Sequence, residues 1–142
     1  MQQLADIKDF YVHGIAENRL PEWVEEETVN AWLQAASDTV LRAFASFAVL
    51  PLTEWGQDVR QWTAIIAAWQ AKQVIGMDAS EYEYEALKER YDQVMKELEL
   101  IRLRKEAPVG VVDSSATTAE EYEEGFGAPV VKGYDTVALD YY

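Results

Sequence analysis

The chain has no cysteine and a single histidine among its 142 residues. The first absence excludes a disulfide framework, thiolate metal sites and cysteine nucleophiles, and the second leaves almost nothing for an imidazole metal centre or catalytic dyad. Basic residues are also scarce, 12 Lys and Arg against 26 Asp and Glu, a formal charge of −14. Such a surface repels nucleic-acid phosphates and anionic membranes, so the expected partners are proteins or cations. No long apolar run occurs either: the most apolar stretch, Ala43 to Leu52, is far too short to span a bilayer, and the first residues lack the basic and apolar regions of a secretory signal. These features predict a protein folded in a cytoplasm, without membrane association.

What the chain does have is a 49% hydrophobic content with five tryptophans and eight tyrosines. That load suits one small helical core or a protein interface. Helical periodicity runs to about Glu106. Leu4, Ile7, Phe10 and Tyr11 share one face of a short first helix, with Gly14 as its stop. A loop through Asn18 and Pro21 follows. Glu25, Glu26 and Glu27 then bring negative charge to the start of a second helix, whose stripe is Val29, Trp32 or Leu33, Ala36, Val40, Phe44 and Phe47. Pro51 ends that segment. Thr53 or Asp58 opens a third helix carrying Val59, Trp62, Ile65, Ile66 and Trp69, and Gly76 closes it. Ser80 with Glu83 makes a capping-box pattern for a fourth helix, in which Tyr84, Leu87, Tyr91, Val94, Leu98 and Ile101 keep 3,4 spacing. The predicted fold is an all-α antiparallel bundle of about four helices.

From Ala107 onward the pattern changes to Val, Gly, Ser, Thr and Tyr, with an acidic knot at Glu120, Glu121, Glu123 and Glu124. The expected organisation is a helical domain over residues 1–106 and an extended C-terminal arm over 107–142. Two β-prone stretches, Val109 to Val112 and Val130 to Tyr142, flank that knot, and Val109 to Val112 and Val130 to Leu139 suit strand addition to a neighbour's sheet edge, because each brings an unpaired row of backbone donors and acceptors. Large apolar and aromatic groups carry most interface energy. The candidate partner anchors are therefore Val109, Val111, Val112, Tyr122, Phe126, Val130, Val131, Tyr134, Val137, Leu139, Tyr141 and Tyr142.

Nothing in the sequence assembles catalysis. His13, beside Gly14, reads as a helix cap or surface residue. The carboxylates at 25–27 and at Glu81, Glu83 and Glu85 lack the alternating ligands and tight glycine turn of a calcium loop, and read as solvated helix starts. No phosphate-cradling glycine loop, nucleophile elbow or His-Glu-x-x-His pair occurs. The expectation is a non-enzyme with no cofactor and no metal.

One feature asks for more than a bland bundle: the apolar turn Phe47-Ala48-Val49-Leu50-Pro51-Leu52, which either staples the bundle or faces a partner. An alanine-rich helix running into Leu50-Pro51-Leu52, then Ile65-Ile66-Ala67-Ala68-Trp69, then a last helix with Glu89-Arg90-Tyr91-Asp92-Gln93-Val94-Met95-Lys96-Glu97-Leu98 resembles the tailed-phage head-tail connector family. More closely, it resembles the Mu-like head-completion, or adaptor, proteins. The resemblance covers roughly residues 4 to 101. The chain departs from the family's pattern at Phe47-Ala48, where a basic-aromatic pair is usual, and at Ile101-Arg102-Leu103-Arg104, where a glycine commonly follows the last helix. The resemblance implies a virion subunit at the head-tail interface, without catalysis. It would form a dodecameric ring of neighbouring adaptor subunits beneath the portal protein, bind a tail-side stopper or tail-completion protein, and let genomic DNA pass its lumen without specific binding. Two other readings stand beside it: an acidic DNA-mimic inhibitor, motivated by the charge, and a small intracellular regulatory helical protein.

Overall fold

A computed structural model describes residues 2–76 and 81–115, with Glu81 defined by its backbone. The element order is α1 (Ile7–Asp9), a π-helical turn (Phe10–Gly14), a 3-10 turn (Glu17–Arg19), α2 (Glu26–Phe44), β1 (Leu52–Glu54), α3 (Gln57–Ile75), α4 (Glu81–Arg104) and β2 (Val112–Asp113). The architecture is the expected all-α bundle, with one small antiparallel β-pair at its end.

Each helix starts or stops for a local reason. At α1, the Asp6 carboxylate accepts the Asp9 amide while the Asp9 carboxylate accepts the Asp6 amide, both at 3.0 Å, a reciprocal cap made by two aspartates. The hydrogen bond from the Asp9 amide holds the Asp6 carboxyl below its ordinary pKa. Helix α2 places Glu26 and Glu27 in its first turn, as anticipated from charge. It ends at Phe44, so Phe47 lies beyond the helix rather than on its stripe. Helix α3 starts after Gly56, while Thr53 belongs to β1. Gly76, at φ 86°, stops α3, and its amide donates to the Lys72 carbonyl at 3.0 Å. The Ser80 cap lies outside the described residues.

The core is organised around α3. Val59, Thr63, Ala64, Ile65, Ile66, Ala67, Ala68 and Ala71 are all buried, so from Thr63 to Ala68 no side of the helix meets solvent. Helix α2, the π-turn and α4 each pack against it. Two predicted core rings therefore sit differently from expectation. Trp62 and Trp69 are half-buried, because the inner surface of α3 is made by alanines and isoleucines. Trp69 instead lies between α3 and α4, with its ring 5.2 Å from Tyr91 and 5.4 Å from Tyr84. On α2, Leu33 fills the core while Trp32 stacks on Phe10 at 6.2 Å. The α4 stripe holds as read, with Leu87, Val94, Leu98 and Ile101 buried.

Close approach to α3 also explains Gly14. A methyl group at Gly14 would lie 2.7 Å from the Ala68 Cβ and 3.1 Å from the Ala64 carbonyl oxygen. Gly14 is needed as space for the π-turn against α3, besides ending the first helical segment.

The N-terminal strand of chain is held by side chains. The buried Leu4 gives its amide to the Ser37 hydroxyl at 2.8 Å, and its carbonyl accepts the Trp55 indole N–H at 2.8 Å. Ser37, fully buried, donates in turn to the Leu33 carbonyl at 2.7 Å. Gln2 binds the backbone of Leu52 twice, donating from Nε2 to its carbonyl at 2.7 Å and accepting its amide at Oε1 at 3.1 Å.

Thermal melting of two variants checks this packing. Gly14→Ala should lower stability by about 1–3 kcal/mol through overpacking. Ser37→Ala should cost a similar amount, about 1–3 kcal/mol, by leaving the buried Leu4 amide unpaired. A Gly14→Ala protein that melts like the parent would mean the π-turn does not sit against α3.

Candidate protein interaction surface

The apolar turn after α2 divides its residues between two jobs. Phe47 packs on the buried Phe44, with ring centroids 5.9 Å apart, and Leu52 is buried. These close the bundle, as a staple does. Val49, Leu50 and Pro51 between them face outward, Val49 at 54% exposure. The Leu50–Pro51 peptide is cis.

This corner is clamped from the C-terminal side. The Val49 amide donates to Asp113 Oδ2 at 2.7 Å, and the Val49 carbonyl accepts the Ser114 amide at 3.0 Å. The Ser114 hydroxyl donates to the Pro51 carbonyl. Asp113 also accepts from the amide and hydroxyl of Ser115, at 3.1 and 2.6 Å, which fixes its carboxylate. Thr53 donates to the Val112 carbonyl at 3.2 Å. A cavity of about 450 Å³ lies between Phe47 and Ala48 on one side and Lys105, Ala107 and Val111 on the other.

The arm expected from Ala107 onward thus begins as part of the bundle. Pro108 to Val111 form a turn, with the Val111 amide on the Pro108 carbonyl at 3.2 Å and Gly110 at φ 91°, the left-handed position a type II turn reserves for glycine. Val109 is the tip of that turn and is 99% exposed. Val111 and Val112 are half-buried, and Val111 packs on the core. The strand expected over Val109 to Val112 is displaced to Val112–Asp113 and pairs with β1 of its own chain, Leu52 opposite Asp113. An edge already existed close at hand, so this stretch needs no neighbour's sheet. Tyr122, Phe126, Val130, Val131, Tyr134, Val137, Leu139, Tyr141 and Tyr142 lie outside the described residues. Sequence reasoning missed Asp113, whose only sequence signal is an aspartate preceding Ser114 and Ser115, a pattern that favours local side-chain to backbone bonds.

At the same end, α4 stops with Lys105 at φ 58°, its amide on the Ile101 carbonyl at 2.8 Å. A non-glycine residue here occupies the position glycine fills most cheaply. Leu100 and Leu103, on the last turns of α4, are exposed, Leu103 at 64%.

Of the groups weighed for chemistry, His13 and Glu83 have partners within the described residues. His13 Nε2 lies 3.0 Å from Gln57 Nε2 at the surface, and the His13 carbonyl accepts from Arg90 at 2.9 Å. The Glu99 carboxyl lies below its ordinary pKa because Arg102 hydrogen-bonds it, and burial raises the Tyr11 hydroxyl. Glu83 forms an ion pair with Arg19. Among the described residues no group of three or more His, Asp or Glu is placed to hold a metal, and no helix is long and apolar enough to cross a membrane.

The fold and surface define a small α-helical bundle with an outward apolar corner held by hydrogen bonds from Asp113 and Ser114. By sequence, residues 1–126 match the family described as Bacteriophage Mu, Gp36, and the chain belongs to that family of phage proteins. Searches of curated proteins and of solved structures return no match.

Lys105→Gly tests the strained terminus. It should raise stability by up to about 1 kcal/mol in a denaturant melt, since left-handed backbone costs roughly 1–2 kcal/mol for a side-chain-bearing residue and glycine's freedom in the unfolded chain offsets part of the gain.

Proposed function

We propose that this phage protein is a non-catalytic structural subunit of the virion, a head-tail adaptor that forms a ring beneath the portal protein. The exposed Val49-Leu50-Pro51 corner carries this reading. It is apolar, projects from a rigid bundle, and is clamped by Asp113 and Ser114 rather than left loose. A fixed apolar projection suits a protein-facing contact, because its ordering cost is already met before binding. Membership of a phage family over residues 1–126 and the Leu50-Pro51-Leu52 resemblance to connector proteins support the same reading.

On this reading, twelve neighbouring adaptor subunits surround a DNA channel, and a tail-side stopper or tail-completion protein binds the opposite face. The formal charge of −14 would serve such a channel by keeping passing duplex from adhering. No site residue acts in catalysis, and no cofactor is required.

Removing the protein from an infecting phage tests the proposal. Filled heads and free tails should accumulate unjoined, and electron microscopy of parental particles should show a ring containing this chain at the vertex. Particles that join heads to tails at parental yield without the chain would overturn it. A Leu50→Asp variant should fold with an unchanged helical spectrum yet reduce joining at least about tenfold, the loss expected when a buried interface anchor worth roughly 2 kcal/mol is replaced by a charge.

A further inference from the structure

The last turns of α4 leave an apolar stripe uncovered. Leu100 and Leu103, three residues apart and so neighbours on the helix surface, are 42% and 64% exposed. They face away from Leu98 and Ile101, which are buried. Four of the chain's 12 basic residues, Lys96, Arg102, Arg104 and Lys105, fall in this stretch with three of its 26 acidic ones, Glu97, Glu99 and Glu106. Arg102 is paired with Glu99, and among the described residues Lys96, Arg104 and Lys105 have no carboxylate partner. In a chain of formal charge −14 this is an apolar patch with cations to spare, and an apolar segment bearing carboxylates fits it.

The chain's own continuation is such a segment, and it starts beside the patch. Ser115, the last described residue, lines the same cavity as Lys105, at the C-terminal end of α4. Its backbone is already helical, and its amide donates to Asp113 Oδ1 at 3.1 Å, the bond an aspartate makes as an N-cap to the second residue of a helix. The sequence that follows, Ala116-Thr117-Thr118-Ala119-Glu120-Glu121-Tyr122-Glu123-Glu124, runs to Gly125, the residue type that most often stops a helix. At about 3.6 residues per turn, Ala119 and Tyr122 share one side of such a helix, and Glu120, Glu121 and Glu124 take the other. A helix this short is marginal alone in water, and glutamates toward its C-terminal end oppose its dipole, so its order must come from a surface offering apolar groups and cations.

We propose that residues 114–124 form a fifth helix, capped by Asp113, that runs back along α4 of the same chain and covers Leu100 and Leu103. Ser115 and Lys105 stand beside one cavity, and at a rise of about 1.5 Å per residue Glu123 and Glu124 come level with Lys96 about 13 Å further on. Ala119 and Tyr122 then fall on either side of Leu100. The occupant is the chain's own segment because its cap is made within the fold, and because so short a tether holds it at an effective concentration in roughly the millimolar range. The seated helix closes this face of α4 to other proteins, and as a contact within one chain it does not depend on the adaptor reading.

Two measurements on the full chain test this. Hydrogen exchange should show the amides of residues 118–124 slowed at least about tenfold relative to unstructured chain. That protection should vanish when Leu100→Ser and Leu103→Ser are introduced together, changes at exposed positions that leave the amides of α2 and α3 protected. Amides that exchange at unstructured rates in the parent overturn the proposal, as does protection indifferent to the two leucines. The absence of cysteine permits the second measurement. A chain carrying Leu100→Cys and Ala119→Cys, mildly oxidised, should form a disulfide within the monomer. Its yield should exceed at least about tenfold that of a chain carrying Gln34→Cys and Ala119→Cys, whose first thiol lies on the exposed face of α2. Linkage at that background level overturns the seat on α4. Linkage found only between chains, when the Leu100→Cys and Ala119→Cys single variants are mixed, gives the seat to a second copy and overturns the chain's own segment as occupant.

Discussion

The constraint on which the rest of the bundle depends is the thinness of α3. A helix buried on every side must either be wrapped by large neighbours or carry small residues that let neighbours come close, and α3 does the second with Ala64, Ala67, Ala68 and Ala71. The π-turn approaches so nearly that only glycine fits at position 14. Bulk comes from the surrounding elements: Leu4 and Phe10 from the N-terminal segment, Leu33 and Phe44 from α2, Leu87 and Leu98 from α4. The large rings on α3 are consequently pushed to its flanks, where Trp69 fills the seam against the tyrosines of α4.

This explains which parts of the fold were legible in the sequence. Helices α2 and α4 have one wet face, so the spacing of Val29, Leu33, Ala36 and Val40, or of Leu87, Val94, Leu98 and Ile101, marks the buried side. Helix α3 has no such contrast along its middle. A stripe drawn through its largest residues therefore picked Trp62 and Trp69 and passed over Thr63 and the alanines. Gly76 was readable because a glycine after a periodic run has one common use; Gly14 was read for the same use, though its spatial role depends on a helix some fifty residues away. The β-pair was hidden for a related reason. Three residues at Leu52–Glu54 and two at Val112–Asp113 are too few to show alternation, and only their proximity in space makes them strands.

The candidate surface was visible in part. The apolar turn at 47–52 stood out by composition, but the sequence could not divide it into the inward Phe47 and Leu52 and the outward Val49 and Leu50. That division follows from β1 turning Leu52 into the core while Asp113 draws the Val49 amide toward the C-terminal segment. Of the arm's candidate anchors, Val111 is partly spent inside the molecule and Val109 is a turn tip. The acidic character of the chain was plain from counting.

Gln2 gives the small sheet an asymmetry that its two strands do not. Its primary amide presents one donor and one acceptor to Leu52, the same pair a third strand would present, so a single side chain imitates a residue of neighbouring backbone. The outer edge of β1 is thereby occupied at its buried residue. A terminal glutamine thus acts as edge protection. An incoming strand would meet the Leu52 amide and carbonyl already paired, so the ladder cannot extend past β1 at that residue without displacing Gln2.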